Sequence, residues 1–239
     1  MSKEWIEEAS RVRYFHELTW LGRPIIQVPQ DMYAIQEIIW KINPDLIIET
    51  GIAHGGSLIF SASMLALLDF RDAKLNGVQL NLNKSQRKVI GIDIDIRKHN
   101  LQALKEHYLY HYLDLIEGSS IDPVIVDKVK DIANNYRDKK ILVLLDSNHT
   151  HDHVLAELNA YANLASEGSY CVVFDTGVED LPAGFYKDRP WDKGNNPMTA
   201  VFEYMKSPEG EKKFKIDKEI EEKILITAAP NGFLRKINL

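Results

Sequence analysis

The sequence predicts an α/β fold: a Rossmann-like, doubly wound, mostly parallel sheet of seven strands with an N-terminal helical extension. Three observations predict it. Apolar runs of strand length recur at residues 46–48, 141–145 and 170–174, as strands covered on both faces require. Helical stretches separate the strand-like segments, and such alternation implies a parallel sheet. The first run also ends in an acid followed by glycines, in the stretch DLIIETGIAHGGS at residues 45–57, which reads as a buried strand delivering a ligand loop.

The elements follow in order. Trp5, Ile6, Ala9, Val12, Tyr14, Phe15 and Leu18 recur at close to 3.6-residue spacing, so an amphipathic helix is expected over residues 3–18, outside the main sheet. A proline-punctuated connector covers residues 20–29, and Asp31 is placed to cap a second helix ending before Asn43 and Pro44. Residues 1–43 thus form the extension, and residues 1–239 a single domain. The first core strand enters a helix over residues 57–68 with Ser57 in its first turn, and residues 69–88 are expected as an insertion. A second strand at residues 89–94 and a helix at 98–108 precede a third strand at 113–118 and a helix opened by Asp122 and Pro123. Residues 141–146 form the fourth strand, 151–165 a helix and 170–175 the fifth strand. A long Gly-, Pro- and Asn-containing loop leads to a helix at 198–206, and two closing strands are expected at 224–227 and 230–237.

Bulk properties narrow the function. With 29 basic against 35 acidic residues, a net charge of -6 and no basic block, the chain is unsuited to a nucleic-acid surface. No apolar run approaches the roughly 20 residues of a membrane span. The start lacks the apolar core of a secretion signal, and the single cysteine, Cys171, lies in a strand-like run, so a cytoplasmic protein is expected. The amphipathic N-terminal helix would serve either self-association into a homo-oligomer or cover for the sheet.

In an open parallel sheet, ligands bind beyond the carboxyl ends of the strands. Those ends carry Glu49, Asp93, Ser119 with Ser120, Asp146 and Asp175. Any one such acid would serve equally as a helix cap, but carboxylates gathered at one edge repel unless a cation is present. The glycine spacing of the first loop, Gly51 then Gly55 and Gly56, is not that of a dinucleotide site. The segment at residues 145–154 is densest in chemistry. Asp146 and Asp175 offer hard oxygen ligands suited to Mg2+ or Mn2+, and His149 is placed to act as a general base. A zinc or iron centre on His149, His151 and His153 is the alternative, although alternate residues point in different directions. In the later loop, Arg189, Trp191 and Asn195 are candidate acceptor contacts.

Taken together, IETGIAHGGS (48–57), GIDIDIR (91–97), EGSS (117–120), LDSNHT (145–150), FDT (174–176), PW (190–191) and GNNP (194–197) resemble the cephalosporin hydroxylase family over residues 20–235. That family has the fold of class I S-adenosylmethionine-dependent methyltransferases and includes rhamnosyl O-methyltransferases. The resemblance implies a Mg2+-assisted O-methyltransferase acting on a small hydroxylated acceptor, a sugar of a glycolipid, polysaccharide or natural product. It puts Glu49, Gly51, His54, Gly55 and Ser57 around the methionine part of S-adenosylmethionine, Asp93 on the ribose, and Ser119 and Ser120 near the adenine. Asp146 would border the cofactor and bind the metal with Asp175, and His149 would be the base. Related enzymes often have Glu-Asp at the tip of the fifth strand where this chain has Phe174 and Asp175, so Thr176 or Glu179 would complete the metal site. The family name also leaves an NAD- or iron-dependent oxidoreductase as an alternative, and the Phe174 departure a non-catalytic accessory protein.

Overall fold

The structure, a computed structural model, describes residues 2–237. In chain order the elements are α1 (Ser2–Arg11), β1 (Thr19–Trp20), β2 (Arg23–Pro24), α2 (Pro29–Ile42), β3 (Leu46–Thr50), α3 (Gly56–Asn76), β4 (Lys88–Asp93), α4 (Lys98–Lys105), β5 (Leu113–Glu117), α5 (Pro123–Asn134), β6 (Ile141–Leu145), α6 (His151–Tyr161), β7 (Tyr170–Val173), α7 (Pro197–Tyr204), α8 (Pro208–Lys213), β8 (Phe214–Ile216), α9 (Lys218–Ile224) and β9 (Phe233–Lys236). Seven strands form one sheet in the order β5-β4-β3-β6-β7-β9-β8. Neighbours from β5 to β7 pair in parallel, while β9 runs antiparallel to both β7 and β8. The expected mostly parallel, doubly wound sheet is therefore present.

Side chains of each central strand alternate between two apolar layers. In β3, Ile47 packs into one apolar layer with Ile35 and Ile38 of α2 and Leu58 and Leu65 of α3. Leu46 and Ile48 face the other layer, with Val129 of α5, Leu158 of α6 and Val201 of α7. Each such fully buried aliphatic side chain contributes roughly 1.5–3 kcal/mol. The strand order places a crossover reversal at β3 and β6, where chains leave toward opposite faces, and it is there that ligands enter such sheets.

Several elements depart from expectation. The N-terminal helix ends at Arg11, because Arg13 turns left-handed at φ 55° and a 3-10 turn, Tyr14–Glu17, follows. Trp5 packs its ring against Tyr14 and Phe15, folding this turn back on α1. Asp31 does not cap α2: Pro29 opens that helix after Val28, and the buried Asp31 carboxylate accepts the Ala228 N–H at 2.8 Å. The supposed insertion is mostly helix, since nothing interrupts α3 before Gly77, whose φ of 65° forms the left-handed cap. The stretch at 224–227 is not a strand. Leu225 has φ 63° and is exposed. The antiparallel partner of β9 is instead Phe214–Ile216, whose Phe214 is buried. Sheet pairing is decided by burial against neighbours more than by β-branched content.

Among the described residues no helix is long and apolar enough to cross a membrane. Cys171 is fully buried in β7, and that burial pushes its thiol up.

Candidate active site

Two glycines set how closely the chain converges at the carboxyl ends of the strands. Gly51 has φ +87°, and a Cβ there would lie 2.0 Å from the Asp146 carbonyl oxygen. Only glycine lets the loop after β3 touch the tip of β6. The Asp146 N–H completes the junction by donating to the Thr50 carbonyl at 3.0 Å. A Cβ on Gly56 would meet the Pro24 carbonyl at 2.2 Å, so that glycine lets the N-terminal connector lie against the start of α3.

The loop itself is held from outside. Arg23 donates to the His54 carbonyl at 2.6 Å and to Asn100 Oδ1 at 3.0 Å, while Asn100 Nδ2 donates to the Ala53 carbonyl at 2.9 Å. Asp93 Oδ2 accepts the N–H groups of Ile52 and Ala53 at 2.7 and 3.1 Å. These two loop amides are satisfied by the acid of β4. Glu49 is buried and accepts from the hydroxyls of Ser57 and Ser61. Burial, only partly opposed by those two donors, pushes its carboxyl up to about 7. Ser120 is buried with Oγ 3.0 Å from His153 Nε2, which also lies near Ser147 Oγ and the fully buried Glu157. Ser119 sits beside it, half-buried.

Asp146, His149 and Asp175 come together, with one ligand atom of each lying within 4.8 Å of the others. The donors of an octahedral dication bound at about 2.1 Å stand roughly 3–4 Å apart, so the two carboxylates fit a divalent ion with small adjustment and leave the imidazole beside it. Electrostatics point the same way. Loss of water, followed by the nearby carboxylates of Asp175, Glu49 and Glu157, raises the Asp146 carboxyl well above its ordinary value. A cation would relieve this. Asp146 Oδ2 accepts from Gln27 Nε2 at 2.6 Å, and His149 Nδ1 lies 3.2 Å from Asp175 Oδ2.

Other candidates are placed elsewhere. Thr176 is buried and its hydroxyl donates to the Pro230 carbonyl at 2.6 Å, so it is turned away from the cluster. Glu179 is occupied in fastening the later loop, accepting from Gly194 N–H and Asn196 Nδ2. His151 is engaged by Thr199 and Glu203, and His153 by the network around Glu157, so the three histidines do not gather. Asn195 is likewise structural, accepting the His151 N–H and donating to the Pro190 carbonyl.

Two adjoining hollows open at these strand ends. A narrow cleft of about 50 Å³ runs between the Gly51–Ser57 loop, residues 24–27 and Asp146. A larger cavity of about 340 Å³ is lined by His149, Phe174, Asp175, Arg189 and Trp191 together with Arg13, His16 and Gln27 of the N-terminal segment. Ile26 and Gln27 border both. Asp93 borders neither; it acts on the cleft through the loop amides. No local pattern between residues 5 and 31 marks that segment as part of the site, save the lone polar Gln27 inside the apolar run PIIQVP, which was the signal available.

Comparison with known proteins fits this arrangement. The family model described as Rhamnosyl O-methyltransferase/CmcI matches residues 12–237. The rhamnosyl O-methyltransferase of Mycobacterium tuberculosis is 30% identical over 228 residues, covering 92% of this chain and 81% of its own. That of Mycobacterium leprae is 29% identical over 218 residues, covering 90% and 82%. Among solved structures, CmcI with Mg and S-adenosylmethionine aligns with a TM-score of 0.54 at 19% identity, over 94% of this chain and 78% of that one. The MycE methyltransferase with Mg, S-adenosylhomocysteine and mycinamycin VI aligns at 0.53 and 16% identity, over 98% and 54%. The structural matches share the fold, and the sequence matches go further: the chain belongs to the rhamnosyl O-methyltransferase/CmcI family of O-methyltransferases.

Proposed function

We propose that this protein transfers the methyl group of S-adenosylmethionine to a hydroxyl of a sugar-bearing small molecule with the help of Mg2+, and that Asp146, His149 and Asp175 carry the chemistry. One observation carries the assignment of residues: these three side chains converge where the loop cleft and the larger cavity meet. The named activities of the mycobacterial relatives, and the Mg with methyl donor or its product in CmcI and MycE, support the reaction class.

Asp146 and Asp175 would hold the dication, whose charge orients neighbouring acceptor oxygens and lowers the pKa of the attacking hydroxyl. S-adenosylmethionine supplies the methyl group: an O–CH3 bond forms as the S–CH3 bond breaks, and S-adenosylhomocysteine leaves. The chain's own residues do the rest. Asp175 accepts from Nδ1 of His149, which fixes the tautomer that leaves Nε2 bare to take the hydroxyl proton. Gln27 donates to one Asp146 oxygen and so orients the other. Trp191 stands edge-on to the His149 ring with centroids 4.6 Å apart and limits its rotation. The loop cleft is small beside the roughly 300–1,000 Å³ of ordinary ligand sites. That size suits the methionine part of the donor, with residues 24–27 as the outer wall.

Calorimetry with S-adenosylmethionine, S-adenosylhomocysteine and NAD tests the donor, and a screen of glycosides with labelled methyl donor, with and without Mg2+, tests the reaction. Binding of the first two and Mg2+-dependent labelling of a sugar hydroxyl are expected. Tight binding of NAD with no response to either methionine derivative would remove the proposal.

A further inference from the structure

The proposed reaction leaves one wall of the larger cavity without a role. That wall carries Arg13, His16 and Arg189. Neither guanidinium has a hydrogen-bond or ion-pair partner among the described residues; Arg189 only stacks on Trp191, with Cζ 5.1 Å from the ring. The more buried arginines behave differently: Arg23, Arg71 and Arg87 are each spent on carbonyl or carboxylate oxygens. Asp175, the carboxylate lining the same cavity, faces His149 and belongs to the cation cluster. His16 is held below its ordinary value, first by burial and then by the positive charges of Arg13, His54 and Arg189, which outweigh the opposing carboxylate of Glu17. Arg13 also holds a left-handed conformation at φ 55° and ψ 34°, which a non-glycine residue adopts only against strain.

Resting on the methyltransferase reading, we propose that the acceptor carries an oxyanion, a phosphate ester or a carboxylate, seated on Arg13 and Arg189 while its hydroxyl lies at His149. A guanidinium offers paired N–H groups matched to such an anion. A neutral sugar would offer these two cations hydroxyl hydrogen bonds alone, whereas an oxyanion adds charge-assisted ones. The placement suits the assignment, because Arg189 and His149 both contact the Trp191 ring, the guanidinium 5.1 Å and the imidazole 4.6 Å from it, so one acceptor can reach both.

The protein saturated with S-adenosylhomocysteine and Mg2+ is titrated calorimetrically with rhamnose 1-phosphate, glucuronic acid and methyl rhamnoside at low and at physiological ionic strength. At least one charged ligand should bind ten times more tightly than the neutral glycoside, and the charged arm that does so identifies the oxyanion. The advantage should shrink with salt. It should vanish in the Arg13→Ala, Arg189→Ala double variant and partly return with lysine at both positions, while S-adenosylhomocysteine affinity stays within twofold throughout. Both arginines are exposed, so the variants should fold. Equal or weaker binding of the charged ligands, no binding by any of the three, or a preference that survives the double variant overturns the inference. Failure of S-adenosylhomocysteine itself to bind removes the methyltransferase reading, and this inference falls with it.

Discussion

The two sides of the candidate site are built in opposite ways. The donor side, formed by β3, β4 and the loop between β3 and α3, is mostly backbone: glycine conformations, carbonyls clasped by Arg23 and Asn100, and loop amides satisfied by Asp93. The acceptor side is mostly side chains from well-separated segments, with Arg13 and Gln27 brought against His149, Asp175, Arg189 and Trp191. Gln27 borders both and holds Asp146 at the boundary. On the proposed function, the methyl donor would be held by a shape set largely by backbone, and the acceptor by side chains that distant segments bring together.

The comparison can be broken hardest at the acceptor side. His149→Ala should lower kcat by about 10²–10⁴-fold, the usual contribution of a general base, while leaving S-adenosylhomocysteine affinity unchanged in calorimetry. A matching loss of affinity would mean that the two sides are not separable. Asp146→Asn should abolish the response of the rate to Mg2+; a variant as active and as Mg2+-dependent as the parent would end the metal assignment.

Gly51→Ala should do the reverse, damaging the donor side first. The added Cβ meets backbone at 2.0 Å in a conformation that alanine resists. A stability loss of roughly 3 kcal/mol and weakened S-adenosylhomocysteine binding are expected in thermal melts with and without ligand. An unchanged melting temperature would show that the loop and Asp146 do not touch.

Gln27→Ala sharpens the comparison at the boundary. The half-maximal Mg2+ concentration should rise about 10–100-fold, as happens when a residue supporting a metal ligand is lost, with little change in stability. No rise would place Gln27 outside the metal's support.

The smallest effect is in pH dependence. Because the folded value of Glu49, about 7, lies above its unfolded value of 4.5, the folded state favours the protonated form. This group's contribution is therefore most favourable below about pH 4.5 and declines as pH rises toward 7. The stability difference between the wild type and Glu49→Gln should drift by on the order of 1–3 kcal/mol across that window in denaturant titrations. Parallel curves would mean that Glu49 ionises normally.

Most of the sheet was legible because its signals are local. An uninterrupted ILVLL can be covered only by helices on both faces, and Asp122-Pro123 and Asn196-Pro197 announce helix starts within two residues. The errors arose where distant contacts outvote local pattern. Residues 224–227 look like a strand, yet β9 takes Phe214–Ile216 as its neighbour. Asp31 looks like a cap, yet its carboxylate is held nearly 200 positions away by Ala228. Thr176 follows a candidate metal ligand, yet its hydroxyl is claimed by Pro230.

By itself, the sequence determined the sheet, the glycine loop and the acids at the strand tips, because period, burial and positive φ are properties of neighbouring residues. Only the tertiary structure decided that Asp146, His149 and Asp175 share a cluster, that Gln27 braces it and that two arginines face the same cavity unpaired. Those facts depend on which side chains from separate segments, 119 positions apart for Gln27 and Asp146, come close once the core has packed, and no local pattern carries that information.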